Sequence, residues 1–470
     1  MDMPTSSHKA LPLDVVIMAA GKGTRMKSRL PKVLHRLAGR ALLQHVVDTA
    51  TELQARGVVV ITGHGADEVE AAVRGFKASA RFVRQEPQLG TGHAVQQAAP
   101  VLPDDGAVVV LSGDVPLTQA DTLRQLIAAS DGQHLALLTL DMPDPTGYGR
   151  IVREGETVQA IVEHKDASDA QRQIKEIYSG IMAVPARLLK PWLARLDNKN
   201  AQQEYYLTDV VKFAVADGMK VVAVKTHDAV QVAGVNSPVQ LAELERAYQQ
   251  RQAHTLMNQG VRLADPDRLD VRGTLECGQD VDIDINCIFE GQVSLGHGVK
   301  IGAHCVIANA HIADGAVIHP YTHIDGGTQP VQVGQGALVG PFARLRPGAV
   351  LGKEVHIGNF VEVKNATLKD GAKANHLAYL GDATLGERVN YGAGSITANY
   401  DGANKHHTEI GDDVHIGSNC VLIAPVNIGA GGTVGGGSVI TKDTPPGALS
   451  VARAKQVSLS NWQRPVKKKK

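Results

Sequence analysis

The sequence predicts two architectures in one chain, an α/β unit built on a mostly parallel sheet and then a parallel β-helix, and three observations predict them. An aliphatic residue recurs at every sixth position from Val333 to Val363 and again from Ile410 to Ile440. Glycine usually follows it, as in Val333-Gly334, Val339-Gly340, Leu351-Gly352 and Ile357-Gly358, then Ile410-Gly411, Ile416-Gly417, Ile428-Gly429 and Val434-Gly435. Through the first half, apolar β-rich runs alternate with helical stretches. The 470 residues also exceed what one hydrophobic core organises, so two or three domains are expected.

In chain order, Val15-Val16-Ile17-Met18 reads as a strand, Leu42 to Arg56 as a helix, Val58-Val59-Val60-Ile61 as a strand, Asp67 to Arg74 and Gly92 to Ala99 as helices, and Val108-Val109-Val110-Leu111 as a strand. That βαβ rhythm implies helices on both faces of the sheet and ligands beyond the carboxyl ends of the strands. A polar, glutamine-rich stretch from Pro238 to Gly260 reads as one bridging helix, giving domains 1–237 and 261–470 on either side of it. Repeats begin near Val271. A period of six is neither the 3.6 of a helix nor the 2 of an ordinary strand, so each hexapeptide lays one short flat strand and turns a corner, three to a triangular coil. The aliphatic residue points into the prism, and glycine or a small residue serves the corner. Leu385 and Tyr391 keep the step, but Ile396 to Glu409 carries no aliphatic ladder and is expected to loop out, either as part of a binding site or as a passive surface loop.

Composition excludes some partners. The 48 basic and 48 acidic residues balance, so net charge calls for no nucleic acid. The Lys467–Lys470 run is the exception and reads as a solvated end. The apolar run Val15 to Ala20 is too short for a signal-peptide core or a membrane span, so a cytoplasmic protein is expected. Four cysteines, Cys277, Cys287, Cys305 and Cys420, show no C-x-x-C spacing and are expected to be reduced and mostly buried.

The first strand runs directly into Ala19-Ala20-Gly21-Lys22-Gly23-Thr24-Arg25-Met26, with Leu30-Pro31-Lys32 after it. Glycines there permit a tight turn whose N–H groups face phosphates, and Arg25 and Lys32 add positive charge. Neither a third Rossmann glycine nor a closing G-K-[ST] is present. Ser112-Gly113-Asp114 ends another strand, where Asp114 is suited to hold Mg²⁺ against a triphosphate, although an aspartate before Pro116 also suits a plain turn. In the second half, Arg344, Arg346 and Lys364 place cations near His376, in a segment that is expected to break the ladder. A histidine with near-neutral pKa can take the proton from an ammonium substrate that must be neutral to attack a thioester.

The strand followed by G-x-G-T-R-M and a downstream Pro-Lys resembles the sugar-1-phosphate nucleotidyltransferases, and the hexapeptide coil resembles the left-handed β-helix of the hexapeptide-repeat acyltransferases. Together with Gln85 to Ala94, Gly147-Tyr148-Gly149-Arg150, Glu163-His164-Lys165 and Gly234-Val235-Asn236, the chain from Asp14 to Lys470 is similar to the bifunctional N-acetylglucosamine-1-phosphate uridylyltransferases and glucosamine-1-phosphate N-acetyltransferases. The resemblance implies acetyl transfer from acetyl-CoA to glucosamine 1-phosphate in the second domain. Mg²⁺-dependent uridylyl transfer from UTP to N-acetylglucosamine 1-phosphate follows in the first, by a homotrimer.

By the same resemblance, UTP and the sugar nucleotide meet Met18, Ala19, Ala20, Gly21, Lys32, Gln85, Gly90, Thr91, Ser112, Gly113 and Asp114, and the sugar meets Gly149 and Glu163. Asp114 and Asn236 ligate the metal, while Arg25 and Lys32 neutralise the triphosphate. In the second domain His376 is the general base, Arg346 and Lys364 hold the phosphate of glucosamine 1-phosphate, and Tyr379 and Asn390 hold the sugar. Acetyl-CoA lies along Ala393, Asn399, Tyr400, Ser418, Gly436 and Arg453. Tyr178-Ser179-Gly180 stands where that family commonly has Asn-Thr-Gly, so no sugar contact is carried over to Tyr178, which either bonds through its hydroxyl or simply packs. Two alternatives remain: a nucleotidyltransferase whose β-helix is only structural, and a metal-binding trimer using His297, His304, His311, His319, His323 or His356.

Overall fold

The structure, a computed structural model, describes residues 11–76 and 79–467, so Lys468 to Lys470 of the lysine run lie outside the described residues. It divides into two units between Tyr248 and Gln249.

The first unit runs β1 (Leu13–Met18), a short hairpin of β2 (Arg36–Leu37) and β3 (Arg40–Ala41), α1 (Leu42–Glu52), β4 (Gly57–Thr62), α2 (Ala66–Gly75), β5 (Arg81–Arg84), α3 (Thr91–Ala98), β6 (Ala107–Ser112), α4 (Ala120–Ser130), β7 (Leu135–Asp141), β8 (Arg150–Glu154), β9 (Thr157–Val162), α5 (Asp169–Arg172), β10 (Glu176–Pro185), α6 (Ala186–Ala194), α7 (Val210–Ala216) and β11 (Val221–Lys225). Strands β11-β7-β10-β6-β1-β4-β5 lie side by side, and the β8–β9 hairpin is attached through β10. β1 pairs in parallel with β4 and with β6, whereas β10 runs antiparallel to both β6 and β7. Alternation explains why helices cover both faces. Val16 and Val110 point into one apolar core, Val15, Ile17 and Val109 into another. Burying each such side chain contributes about 1.5–3 kcal/mol. From β1 the chain winds outward to β4 and β5, then returns to lay β6 on the other side of β1. The switch point therefore lies between the carboxyl ends of β1 and β6, where Met18 stands level with Ser112.

Helix α8 (Pro238–Asn258) occupies the stretch expected to be helical and contains the division between the units. The second unit is a parallel β-helix. Its two-residue strands stack in register: Arg262–Leu263 on Asp282–Ile283, then Lys300–Ile301, Val317–Ile318, Leu338–Val339 and His356–Ile357. Coiling thus begins at Arg262, earlier than Val271. One interior column is Ile283, Ile301, Ile318, Val339, Ile357, Ala374, Tyr391, Ile416 and Val434, all buried. The segment of His376 was expected to break this ladder and does not. Ala374 keeps the slot, its small side chain leaving room for Tyr391 stacked against it. The true break comes one coil later, because Asn390 pairs with His415, a step of 25 residues where Lys373 to Asn390 is 17 and His415 to Thr433 is 18.

That excursion is shorter than expected. Ile396–Ala398 is still a strand of the coil, paired with Val421–Ile423, and the inward Thr397 hydroxyl donates to the Gly381 carbonyl and accepts from its N–H at 2.9 and 2.8 Å. Beyond it, residues 399–407 leave the coil as a hairpin closed by a bridge between Tyr400 and Lys405.

Corners also differ from expectation. Along one edge, successive coils place His304, Tyr321, Phe342, Phe360 and Leu377 in the left-handed region, with φ of 50° to 61°, where small residues were expected. Left-handed backbone costs a bulky residue about 1–2 kcal/mol. Stacking offsets part of it: ring centroids are 4.8 Å apart for His304 and Tyr321, 5.1 Å for Tyr321 and Phe342, and 5.4 Å for Phe342 and Phe360. All four cysteines are free thiols, Cys277 half-buried and the others buried. Burial pushes the Cys287 thiol up to about 11. Among the described residues, no helix is long and apolar enough to cross a membrane.

Candidate functional site

In the first unit a cavity of about 300 Å³ opens at the switch point between β1 and β6. Met18, Ala19, Ala20 and Gly21 line it from the end of β1, Ser112 and Asp114 from the end of β6, and Gln85, Gly90 and Thr91 from the loop before α3; Lys32 closes one side. Gly113 is held behind this wall, its N–H donating to the Met18 carbonyl at 2.9 Å. Gln85 is buried, and its amide hydrogens are committed to the Gly90 carbonyl at 2.9 Å and to His93 at 3.3 Å, leaving Oε1 to act as an acceptor.

Lys32 is the centre of this arrangement. Its ammonium is ion-paired with Asp114 and donates to Asn236 Oδ1 at 3.1 Å. Asn236 arrives because Val235 N–H donates to the Asp114 carbonyl at 2.9 Å, tying that loop to the end of β6. Asp114 and Asn236 thus present two hard oxygen donors to one cation, here the lysine, a donor set that also suits Mg²⁺ completed by water and phosphate oxygens. Gly23 makes the approach possible. Its φ is +61°, and a Cβ there would lie 2.6 Å from Lys32 Cβ. Arg25 sits on the short turn Thr24–Met26, exposed and outside the cavity wall.

Gly149 and Glu163 come together, a Cβ on Gly149 falling 3.6 Å from Glu163 Oε1. Glu163 lines a separate cavity of about 280 Å³ with Asp166, Asp209 and Tyr206. Burial raises its carboxyl above the usual range, opposed by the hydrogen bond that Thr208 donates at 3.0 Å and reinforced by Asp166, Asp209 and Glu204. Glu204 also lines the larger cavity, a residue that sequence reasoning missed. Tyr178 lies in β10, its N–H donating to the Gly149 carbonyl at 2.9 Å. Its ring packs in a core, and its buried hydroxyl has no hydrogen-bond partner among the described residues. Burial and the nearby Glu163 charge raise that phenol well above its usual range.

In the β-helix, Arg346 donates to Glu362 at 2.7 Å. Lys364 stands against Lys405, whose ammonium holds it below the usual lysine range, and Arg346 pushes the same way. Three cations gathered at one place suit a dianionic phosphate. Lys405 was not anticipated, because only the fold-back of the hairpin brings it to Lys364. Tyr379 folds over Gly381, where a Cβ would meet its hydroxyl, and Asn399 reaches the same spot while donating to Asp382. Thus the Asn399 side chain anchors the hairpin; Tyr400 is exposed beside it. Asn390 lies exposed on the strand next to that of His376.

A line of residues climbs one edge. Leu377 N–H donates to the Asn359 carbonyl, Gly394 N–H to that of His376, Asn419 N–H to that of Ala393 and Gly437 N–H to that of Ser418. Arg453 then donates to the Gly436 carbonyl. His376, Ala393, Ser418, Gly436 and Arg453 therefore occupy successive coils of a single edge. The exposed His376 ring meets Asn359 Oδ1 through Nδ1 at 3.0 Å. Of the histidines considered for metal, His304 is stacked on Tyr321, His297 accepts the Gln279 N–H at 3.0 Å, and His311 bonds Ser294 at 2.7 Å. Among the described residues, no group of three or more His, Cys, Asp or Glu is placed to hold a metal.

A nucleotide-type cavity on a mostly parallel sheet, joined to a β-helix with its own charge cluster, defines a nucleotidyltransferase fused to a hexapeptide-repeat transferase. A family model described as the MobA-like NTP transferase domain matches residues 15–177, and the bacterial transferase hexapeptide model matches 330–365 and 407–442, leaving out the coil of His376 and the hairpin. Proteins named bifunctional protein GlmU are similar over 97% of this chain: that of Albidiferax ferrireducens is 76% identical over 465 residues and all of its own length, that of Polaromonas naphthalenivorans 77% over 466 residues and 98% of its length. That of Herminiimonas arsenicoxydans is 54% identical over 458 residues and 100% of its length. The chain belongs to the bifunctional GlmU family, enzymes that join a nucleotidyltransferase to a hexapeptide acyltransferase.

Proposed function

We propose that the second unit transfers acetyl from acetyl-CoA to glucosamine 1-phosphate, and that the first transfers uridylyl from UTP to the resulting N-acetylglucosamine 1-phosphate, releasing pyrophosphate. The observation carrying this reading is that each unit holds its own cluster of charges, Lys32 with Asp114 and Asn236 in one, Arg346 with Lys364 and Lys405 in the other.

In uridylyl transfer a phosphate oxygen of the sugar phosphate bonds to the α-phosphorus as the bond to pyrophosphate breaks. No side-chain nucleophile is needed, so positioning and charge stabilisation do the work. Mg²⁺ held by Asp114 and Asn236 supplies neutralisation of the triphosphate. Lys32 adds its ammonium at the same point, Arg25 covers the phosphates from its turn, Gln85 Oε1 accepts from the uracil edge, and Gly149 and Glu163 take the sugar hydroxyls. In acetyl transfer the three cations hold the phosphate, Tyr379 and Asn390 orient the sugar, and His376 takes the proton that the neutral amine sheds as its nitrogen bonds to the acetyl carbon. Acetyl-CoA lies along the edge from Ala393 to Arg453, with Asn399 and Tyr400 flanking its thioester.

Three copies assemble through the β-helix in the cytoplasm. Supporting a closed trimer, the stacked Tyr321, Phe342 and Phe360 are half exposed in the single chain, an apolar ridge that association would cover. The test of the two-site reading is to assay both half-reactions in two variants. His376→Ala should abolish acetyl transfer and spare uridylyl transfer, and Asp114→Ala should do the reverse; a folded variant that loses both activities contradicts separate sites.

A further inference from the structure

We propose that Asn359 is a positioning residue for acetyl transfer, fixing the tautomer of His376 so that Nε2 is left as the base. The proposal rests on the assignment of His376 above. Strands His356–Asn359 and Lys373–His376 are paired in parallel with Asn359 directly opposite His376, so the side chains stand side by side one coil apart. Asn359 Oδ1 lies 3.0 Å from His376 Nδ1. A carboxamide oxygen only accepts, so Nδ1 must carry the hydrogen, and a neutral imidazole with Nδ1–H has its lone pair on Nε2. The contact is built into the backbone as well. Leu377 N–H donates to the Asn359 carbonyl at 3.0 Å, which holds the two corners in register.

An amide suits this task better than a carboxylate. Asparagine orients the ring without setting a negative charge beside it, whereas a carboxylate would favour the imidazolium strongly. The strand below also carries His356, the strand above carries Asn390 and the inward Tyr391, and the histidine's own strand carries Lys373, while Arg346, Lys364 and Lys405 are the cations of the same proposed site. In the reaction Nε2 takes a proton from the amino group and the amine nitrogen bonds to the acetyl carbon. The C–S bond then breaks, and the imidazolium returns the proton from Nε2 to the departing thiolate. Nδ1 keeps its hydrogen throughout, bonded to Asn359.

The test uses the full chain carrying Asn359→Ala, Asn359→Asp or His376→Ala, with acetyl transfer followed across the neutral pH range and uridylyl transfer as the measure of intact folding. Asn359→Ala should lower kcat for acetyl transfer about tenfold or more, within the ~10²–10⁴-fold that a general base contributes, with the KM for acetyl-CoA unchanged. Asn359→Asp should retain turnover but move the acidic limb of the pH profile upward by on the order of one pH unit, because a carboxylate favours imidazolium. Wild-type kcat in Asn359→Ala, or an unmoved acidic limb in Asn359→Asp, overturns the proposal; if the alanine variant also loses uridylyl transfer, the aspartate variant decides alone. Acetyl transfer persisting in His376→Ala removes the base assignment and the proposal with it. An inactive His376→Ala beside two unaffected Asn359 variants removes only the positioning role.

Discussion

Replacing Lys405 with alanine should raise the KM for glucosamine 1-phosphate about fivefold at low ionic strength and leave kcat for acetyl transfer nearly unchanged. Lys405 is exposed on the hairpin, and its ammonium is what depresses Lys364. Two unit charges about 4 Å apart interact by about 1 kcal/mol in water and about 4 kcal/mol near a protein surface. Exposure selects the low end, and the substitution also relieves repulsion between the two lysines, letting Lys364 hold its proton more tightly. A net loss of about 1 kcal/mol in phosphate binding corresponds to the fivefold change. Because ground state and transition state carry the same phosphate, the loss belongs in KM. Initial rates against sugar phosphate at two salt concentrations measure it. The difference between variant and wild type should shrink as the Debye length falls to about 10 Å near 0.1 M salt. Lys405→Arg should preserve KM, and uridylyl transfer should be untouched in both. An unchanged KM at low salt, or a fall in kcat alone, would refute the anion-holding role.

Gly23→Ala should cost about 1–2 kcal/mol for a left-handed non-glycine residue and push Lys32 off Asp114, because the added Cβ would meet Lys32 Cβ at 2.6 Å; uridylyl transfer should fall at least tenfold in assays where acetyl transfer is retained. Since Glu163 titrates above the usual carboxylate range and its charged form is the acceptor for sugar hydroxyls, the KM for N-acetylglucosamine 1-phosphate should fall as pH rises through that pKa. Thr208→Val, which removes a hydrogen bond favouring the carboxylate, should move the fall to higher pH, and a downward move would contradict the assignment. Tyr178→Phe deletes a buried hydroxyl that has no partner among the described residues, so the thermal midpoint should hold or rise; a loss beyond about 1 kcal/mol would show that the hydroxyl is bonded after all.

What could be read in the sequence was whatever depends on local pattern. The six-residue period encodes which side chain faces the prism, so the β-helix was legible from the recurrence between Val333 and Val363 and between Ile410 and Ile440, and the apolar runs marked β1, β4 and β6 with their intervening helices. Residues at strand ends were legible for the same reason: Met18 to Gly21 and Ser112 to Asp114 follow the two strands that flank the switch point. Missing were features set by relations between distant segments. The antiparallel insertion of β10 depends on which neighbours it finds. The common edge from His376 to Arg453 depends on coil lengths of 17, 18 and 25 residues summing to whole turns, which no single repeat reveals. Lys405 reaches Lys364 only because Tyr400 and Lys405 close a hairpin. The bulky residues at the stacked corner defied the expectation of glycine because each ring is supported by the ring below, a compensation invisible in one hexapeptide.

Two self-sufficient sites in one chain are the central claim, and mixing two crippled variants tests it most directly. Equal amounts of His376→Ala and Asp114→Ala, neither able alone to carry glucosamine 1-phosphate, acetyl-CoA and UTP through to UDP-N-acetylglucosamine, should together restore steady production after a lag while the acetylated intermediate accumulates. A mixture as inactive as either variant, with each still folded and each still performing its remaining half-reaction, would contradict the account.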